Sequence, residues 1–328
     1  MNRLTKPRVL IAGLVVAVAV VATVVVVSVS GTGPTDVVRD YLDAIRAGDT
    51  EAALAIAGEP KGDGVRFLSA DALADDWTVD HVAERHRTDD DVDIDVTLRA
   101  GEHTEQGRFQ LTNGDDGWTI DSPFVQLDLS VGELDTVELG TVREPVRGAR
   151  NGSVALLVFP GVYEPYPSMK GRFAIDPAPV IVPPQEDENP LRVTLDFRLT
   201  KDGAANATGA LTRYLDDCVT KTGAKPSGCP FSAEDTLYGY ADVRDVTWEL
   251  VTAPEPSFVP ARDRLVGMVV RKPGVVRLTA TAVEDEGGQP TTVTAECDVD
   301  IASLVVTTTM AGFTVRGAPN AYLRSRCY

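Results

Sequence analysis

Histidine is the scarcest reactive side chain in these 328 residues, with three in all, at 81, 86 and 103. Cysteine and methionine are limited to four each and tryptophan to three. Neither CxxC nor HxxxH spacing occurs, so a tetrahedral zinc site has no basis in the sequence. GxSxG and SxxK are both absent, which leaves serine-type hydrolysis unsupported, and no glycine-rich phosphate loop is present. Basic residues are in deficit, 31 against 49 acidic, for a net charge of −18. That charge opposes nucleic acid or anionic lipid as a partner, because like charges repel over long range. The plain reading is an acidic exterior that keeps the chain in solution; the sharper one is a surface suited to one cationic partner.

Charge and proline are both missing from Val9 to Ser30, VLIAGLVVAVAVVATVVVVSVS, a run of 22 residues. At 1.5 Å per residue a helix of that length reaches about 33 Å, enough to cross the ~30 Å hydrocarbon core of a bilayer. Arg3, Lys6 and Arg8 precede the run and no acid does, which predicts a cytoplasmic N-terminus with residue 31 onward outside. The expectation is a single-pass cell-membrane protein, with the membrane engaged through this N-terminal helix. A cleaved signal peptide shares the basic flank and apolar core, but such cores usually run only about 7–15 residues. The first cysteine is Cys218, so no lipid-modified cysteine follows the run. Both alternatives place the bulk of the chain outside the cytoplasm.

Beyond the apolar run, just under 300 residues remain, enough for two or three domains. An even number of cysteines in an oxidising compartment reads as disulfides, and Cys218, Cys229, Cys297 and Cys327 allow three connectivities. Cys218 with Cys229 closes a short loop and leaves Cys297 with Cys327 to secure the C-terminus; that pairing is favoured.

Thr35 to Gly58 reads as two helices. Val37, Val38, Tyr41, Leu42 and Ile45 form one apolar stripe, with Thr35 as N-cap, Gly48 in the left-handed C-terminal position and Asp49 capping the second helix. From Val92 the period falls to two. Val92, Ile94, Val96 and Leu98 alternate with polar residues, and GRFQLTN (107–113) and GWTIDSPF (117–124) follow across an NGDDG turn. SVALLVFPGVYEP (153–165) reads as a buried strand closed by a Pro-Gly turn, and PPQEDENP (183–190) as a linker or exposed loop. LRVTLDFRLT (191–200) reads as a strand, ANATGALTRYLDDCVTK (205–221) as a helix, and the remainder as strands.

The residues Val38, Tyr41, Leu42, Ala44, Ala47, Gly48 and Asp49, with Gly117, Trp118 and Ile120, make a pattern similar to the nuclear transport factor 2-like (cystatin-like) domains of exported actinobacterial proteins. Phe159 to Tyr163 resembles the small β domain of membrane-anchored envelope proteins of the teicoplanin-resistance-associated type. The stretch Cys218 to Phe231 resembles a helix-plus-disulfide seen in such proteins. The resemblance implies an α+β fold of tandem cone domains. The expected plan is a basic flank (1–8), a transmembrane helix (9–30), a first cone (35–127), a small β domain (128–190) and a second α+β cone carrying the disulfides (191–328).

Enzymes on the cone fold set Asp and His inside it for acid–base work. His81 and His86 lie in HVAERHR, a charged stretch read as helix or loop, and His103 in a turn, so a solvated role is favoured over an Asp80–His81 or His86–Asp89 dyad. The acids of DDDVDID (89–95) alternate with inward Val92 and Ile94, which suits the wet face of a strand better than a calcium loop. Trp77, Trp118 and Trp248 read as core. The expectations are no cofactor, no metal and no catalytic residue. The role is that of an extracytoplasmic, non-catalytic binding or scaffolding protein of the cell envelope, its partner an envelope protein or cell-wall component and not nucleic acid. A small-molecule or lipid-binding cone is the first alternative and an enzyme on the same cone the second.

Overall fold

A computed structural model describes residues 33–60, 65–146, 152–185, 189–233, 237–261, 264–285 and 287–317. Strands hold 51% of them and helices 19%, with three α-helices among the described residues. The expected α+β plan of tandem cones therefore does not hold, and the described chain is mainly β. The reason is local: among the described residues the α-helical segments are Pro34–Arg46, Thr50–Ala57 and Lys201–Val219, and most of the rest is extended. Val9–Ser30 lies outside the described residues. Among those described, no helix is long and apolar enough to cross a membrane. The longest, at 19 residues, carries Lys201, Asp202, Arg213, Asp216 and Asp217. The expected transmembrane helix and single-pass localisation are corrected to this extent: no described helix spans a membrane.

Helix α1 (Pro34–Arg46) begins one residue before the expected cap, because Pro34 fits the first helical position and Gly33 precedes it. The Asp36 carboxylate accepts the Gly33 N–H at 3.2 Å. At the other end Gly48 takes φ +73°, and Gly48 and Asp49 donate backwards to the Ile45 and Ala44 carbonyls, closing the helix in a Schellman motif. Asp49 then caps α2 (Thr50–Ala57), its Oδ1 accepting the Ala52 N–H at 3.0 Å. The stripe Val37, Val38, Tyr41, Leu42 and Ile45 is buried against a meander of β1 (Thr78–Arg87), β2 (Asp91–Ala100), β3 (His103–Gly114) and β4 (Gly117–Ile120). HVAERHR belongs to strand β1 and not to a helix or loop. As the edge strand it is wet on most positions, which erased the alternation that marks its neighbour β2.

The middle of the chain is built from short strands. β5 (Val125–Ser130), β6 (Thr136–Leu139), β7 (Val142–Pro145), β8 (Ser153–Val158), β9 (Gly161–Tyr163), β10 (Phe173–Asp176), β11 (Val180–Val182), β12 (Leu191–Val193) and β13 (Asp196–Leu199) form small sheets. β5 is flanked by β8, antiparallel, and by β12, parallel. SVALLVFPGVYEP is two strands, because β9 leaves β8 to pair with β11. LRVTLDFRLT also splits, its first half joining β5 and its second half β10. Pro183 and Pro184 are buried, pressed onto β3 where Gly107 leaves room; a Cβ there would lie 2.2 Å from the Pro184 oxygen. That contact corrects the reading of this end of PPQEDENP as exposed.

Helix α3 (Lys201–Val219) starts at Thr200, whose Oγ1 accepts the Gly203 N–H at 3.0 Å. Its buried side, with Leu211 and Leu215, packs on a sheet ordered β14 (Tyr240–Thr252), β17 (Gly274–Glu284) and β18 (Thr291–Val299). β15 (Glu255–Ala261) and β16 (Arg264–Lys272) form one ribbon, β19 (Leu304–Thr309) and β20 (Gly312–Gly317) another. Val266, Val306 and Phe313 from these ribbons enter the core of the middle strands, and the Arg172 Nη2 group donates to the Met310 carbonyl at 2.6 Å. Cys218 and Cys229 are bonded and buried, fastening the C-terminal end of α3 to the following loop. Cys297 is also in a disulfide; Cys327 lies outside the described residues.

Candidate functional site

Three backbone bends set the rim of a cleft. Gly48 after α1, Gly101 between β2 and β3, and Gly140 between β6 and β7 all take positive φ, which residues with a Cβ rarely adopt. The Gly140 bend also needs space: a Cβ there would lie 2.4 Å from the Asp71 carbonyl oxygen. Between these bends runs SADALADDW (69–77), where the Ser69 Oγ accepts the Asp71 N–H at 3.1 Å and starts a short 3₁₀ turn.

The walls are pinned by main-chain bonds. Thr141 N donates to Asp71 O at 2.8 Å, Ala74 N to Val162 O at 2.8 Å and Gly140 N to Glu164 O at 2.9 Å. Leu73 bridges Tyr163, and Gly161 admits it closely, since a Cβ on Gly161 would lie 2.7 Å from a Leu73 methyl. The result is an open cleft of about 1090 Å³ between the helix-backed sheet and the middle strands. Asp71, Asp75, Asp76, Glu102 and Glu164 line it against Arg46 and His103. Arg46 is paired with Asp43 at 3.1 Å and Glu164 with Lys170, while Asp71, Asp75, Asp76 and Glu102 are exposed and form no ion pair among the described residues.

Trp77 forms part of the cleft wall with only 5% of its surface exposed. Trp248, equally buried, donates to the Gly223 carbonyl at 2.9 Å. Trp118 is half-buried beneath Arg87, whose guanidinium lies 5.1 Å from the ring centre. It is a partly wet cation–π platform more than a core residue.

The histidines are not brought together. His81 and His86 are exposed on β1, and His103 sits at the cleft mouth. Asp80 is the extra residue of a β-bulge, because Val79 faces Leu98 and His81 faces Thr97. Its carboxylate is taken by Arg99 and Thr78, whose hydrogen bonds hold it below the usual carboxylate range. Asp80 is thus committed to Arg99, and His86 faces Asp93 across the strand pair, not Asp89. Val92 and Ile94 point into the core as read, with Asp91 exposed and Asp95 bound to Arg108 at 2.7 Å. A smaller cleft of about 570 Å³ lies over the outer face of β2 and β3, with His81, Arg85, Arg108 and Gln185 around it. No cluster able to hold a metal ion occurs among the described residues.

The interior under α1 is filled. Tyr41 meets Phe109 and Phe159 edge-on at 5.9 and 6.3 Å, and its hydroxyl donates to the Pro123 carbonyl at 2.6 Å. Burial, and secondarily Tyr163, pushes the Tyr41 phenol well above its ordinary range. Residues 59–76 fall within the expected first cone without a predicted role, and the cleft acids at 71, 75 and 76 were missed with them. The usable signal was the Ser69 turn and the acidic pair directly before a tryptophan. Comparison with protein-family models, with curated proteins and with solved structures returned no match for this chain.

Proposed function

We propose that the chain is a non-catalytic binding or scaffolding module that works outside the cytoplasm, among components of the cell envelope. The observation that carries this reading is the filled interior of the helix-backed sheet beside an open cleft with pinned walls. Tyr41, Ile94, Phe109 and Leu111 occupy the space where a small-molecule carrier would keep a cavity. The cleft presents recognition groups fixed by main-chain bonds, and it lacks a hydrogen-bonded acid–base pair. The buried Cys218–Cys229 bond supports an oxidising compartment. The test is photo-crosslinking in the producing cell from a reporter placed at Glu102, an exposed cleft residue. A crosslinked envelope protein or cell-wall fragment is expected. Crosslinks confined to cytoplasmic proteins would overturn the reading.

A further inference from the structure

Among the described residues, three other than glycine take a positive φ: Asp242, Asp245 and Tyr166. The two aspartates are exposed, and a short polar side chain tolerates the left-handed region. Tyr166 is neither short nor exposed. Its backbone sits at φ 50° and ψ 50° with the ring wholly buried. Pro167 follows, and a proline ring pushes the residue before it towards extended backbone. The Tyr166 hydroxyl is buried too, with no hydrogen-bond partner among the described residues. Backbone strain and an orphaned polar group thus fall on one residue, and each persists only where the surroundings hold it.

The Tyr166 ring meets Phe197 edge-on at 5.5 Å, its N–H donates to the Glu138 carbonyl at 3.0 Å, and its carbonyl accepts from the Met169 N–H at 2.9 Å. Ser168 donates to the Glu138 carboxylate from its N–H and its hydroxyl, at 3.3 and 2.6 Å. Just upstream the chain is fixed. The Glu164 carbonyl accepts from the Gly140 N–H at 2.9 Å, and Pro165 bridges Leu139. Glu164 and Pro167 both line the cleft, so the joint between its fixed wall and the strained turn lies at Tyr166. Relaxation of Tyr166 to extended backbone relieves the strain and lets water reach the hydroxyl. Against that stands the loss of the Phe197 contact and of the bonds to Glu138. These gains and losses offset one another, which is the condition for a populated minor state.

We propose that residues 166–169 form a strained latch on the cleft wall, seated in this structure and able to open locally at Tyr166 while Glu164 and Pro165 stay in place. Opening carries Pro167 out of the wall and widens the cleft. A ligand packed against Pro167 therefore favours the seated arrangement. The latch regulates the cleft, and for that purpose alone it rests on the binding reading.

Native-state amide exchange of the full-length protein tests the latch without a ligand, so its failure and that of the crosslinking test are separate results. The Tyr166, Ser168 and Met169 amides should exchange through a local opening with little dependence on low urea. They should do so at least about tenfold faster than the amides bonded between β5 and β8, strands of the same core. Tyr166→Phe keeps the ring and removes the orphaned hydroxyl. It should slow the latch amides about fivefold, because only the seated state leaves that hydroxyl unpaired. Latch amides as slow as those of β5 and β8 would overturn the proposal, and so would latch exchange that Tyr166→Phe leaves unchanged or speeds.

Discussion

Glu138 is 1% exposed and lies on β6, the strand that leads into the Gly140 bend of the cleft. Its Oε1 accepts from Arg143 Nε and Nη2 at 2.8 and 2.7 Å, and its Oε2 from the Ser168 hydroxyl at 2.6 Å. The Tyr166 N–H donates to the Glu138 carbonyl, so one residue ties the hairpin to the segment beneath it from side chain and backbone. The two partners are unequal. Arg143 keeps 54% of its side chain in solvent, whereas the Glu138 side chain keeps 2%. Removing Glu138 frees a guanidinium that water can solvate; removing Arg143 strands a carboxylate that water cannot reach. Leaving a buried charge uncompensated costs about 3–5 kcal/mol, and the surviving Ser168 bonds lower that to about 2–3 kcal/mol for Arg143→Ala. Glu138→Gln keeps the shape and the Ser168 contact, and should cost about 1 kcal/mol. The pair substituted together should lose less than the sum, because neither residue then strands the other. Urea unfolding monitored by tryptophan fluorescence measures all three. An Arg143→Ala cost below that of Glu138→Gln, or strict additivity, would refute the account of the clamp.

The Cys218–Cys229 bond spans 11 residues, so replacement of both by serine should lower stability by about 3 kcal/mol on the chain-entropy model; an unchanged urea midpoint for the doubly substituted protein counts against it. Tyr41, Tyr163 and Tyr166 all have phenols held above their ordinary range, chiefly by burial. Folded they stay neutral, while unfolded they ionise near pH ~10. Their contribution is therefore complete below that pH and falls away as pH rises beyond it. Thermal unfolding followed on the alkaline side should show that decline, and a flat profile would contradict it. Phe109→Ala empties the filled interior under α1 and should cost about 3–5 kcal/mol; a loss below about 1 kcal/mol would mean a cavity already exists and would favour a ligand carrier.

The α1–α2 hairpin was legible because its information is local: the stripe from Val37 to Ile45, Gly48 at a left-handed bend and Asp49 as a cap are all read within one turn of where they act. β2 was legible because it is wet on one face only. β1 was not, since an edge strand wet on most positions shows no period. The split of LRVTLDFRLT follows from two different partners, β5 and β10, that lie far off in the chain. Pairing over such distances leaves no mark in a ten-residue window. The cleft was illegible for the same reason. Its acids at 71, 75, 76 and 102 become neighbours of Gly140 and Glu164 only through bonds such as Thr141 N to Asp71 O and Gly140 N to Glu164 O. The excess of acids over bases set the sign of the surface, and folding chose which of them converge.

Amide hydrogen exchange of the full-length protein tests the pinned cleft on which the account rests most directly. Ala74, Gly140 and Thr141 each donate to a main-chain carbonyl across the cleft walls, which predicts slow exchange at these three amides. Exchange there as fast as at freely exposed loop amides would contradict it.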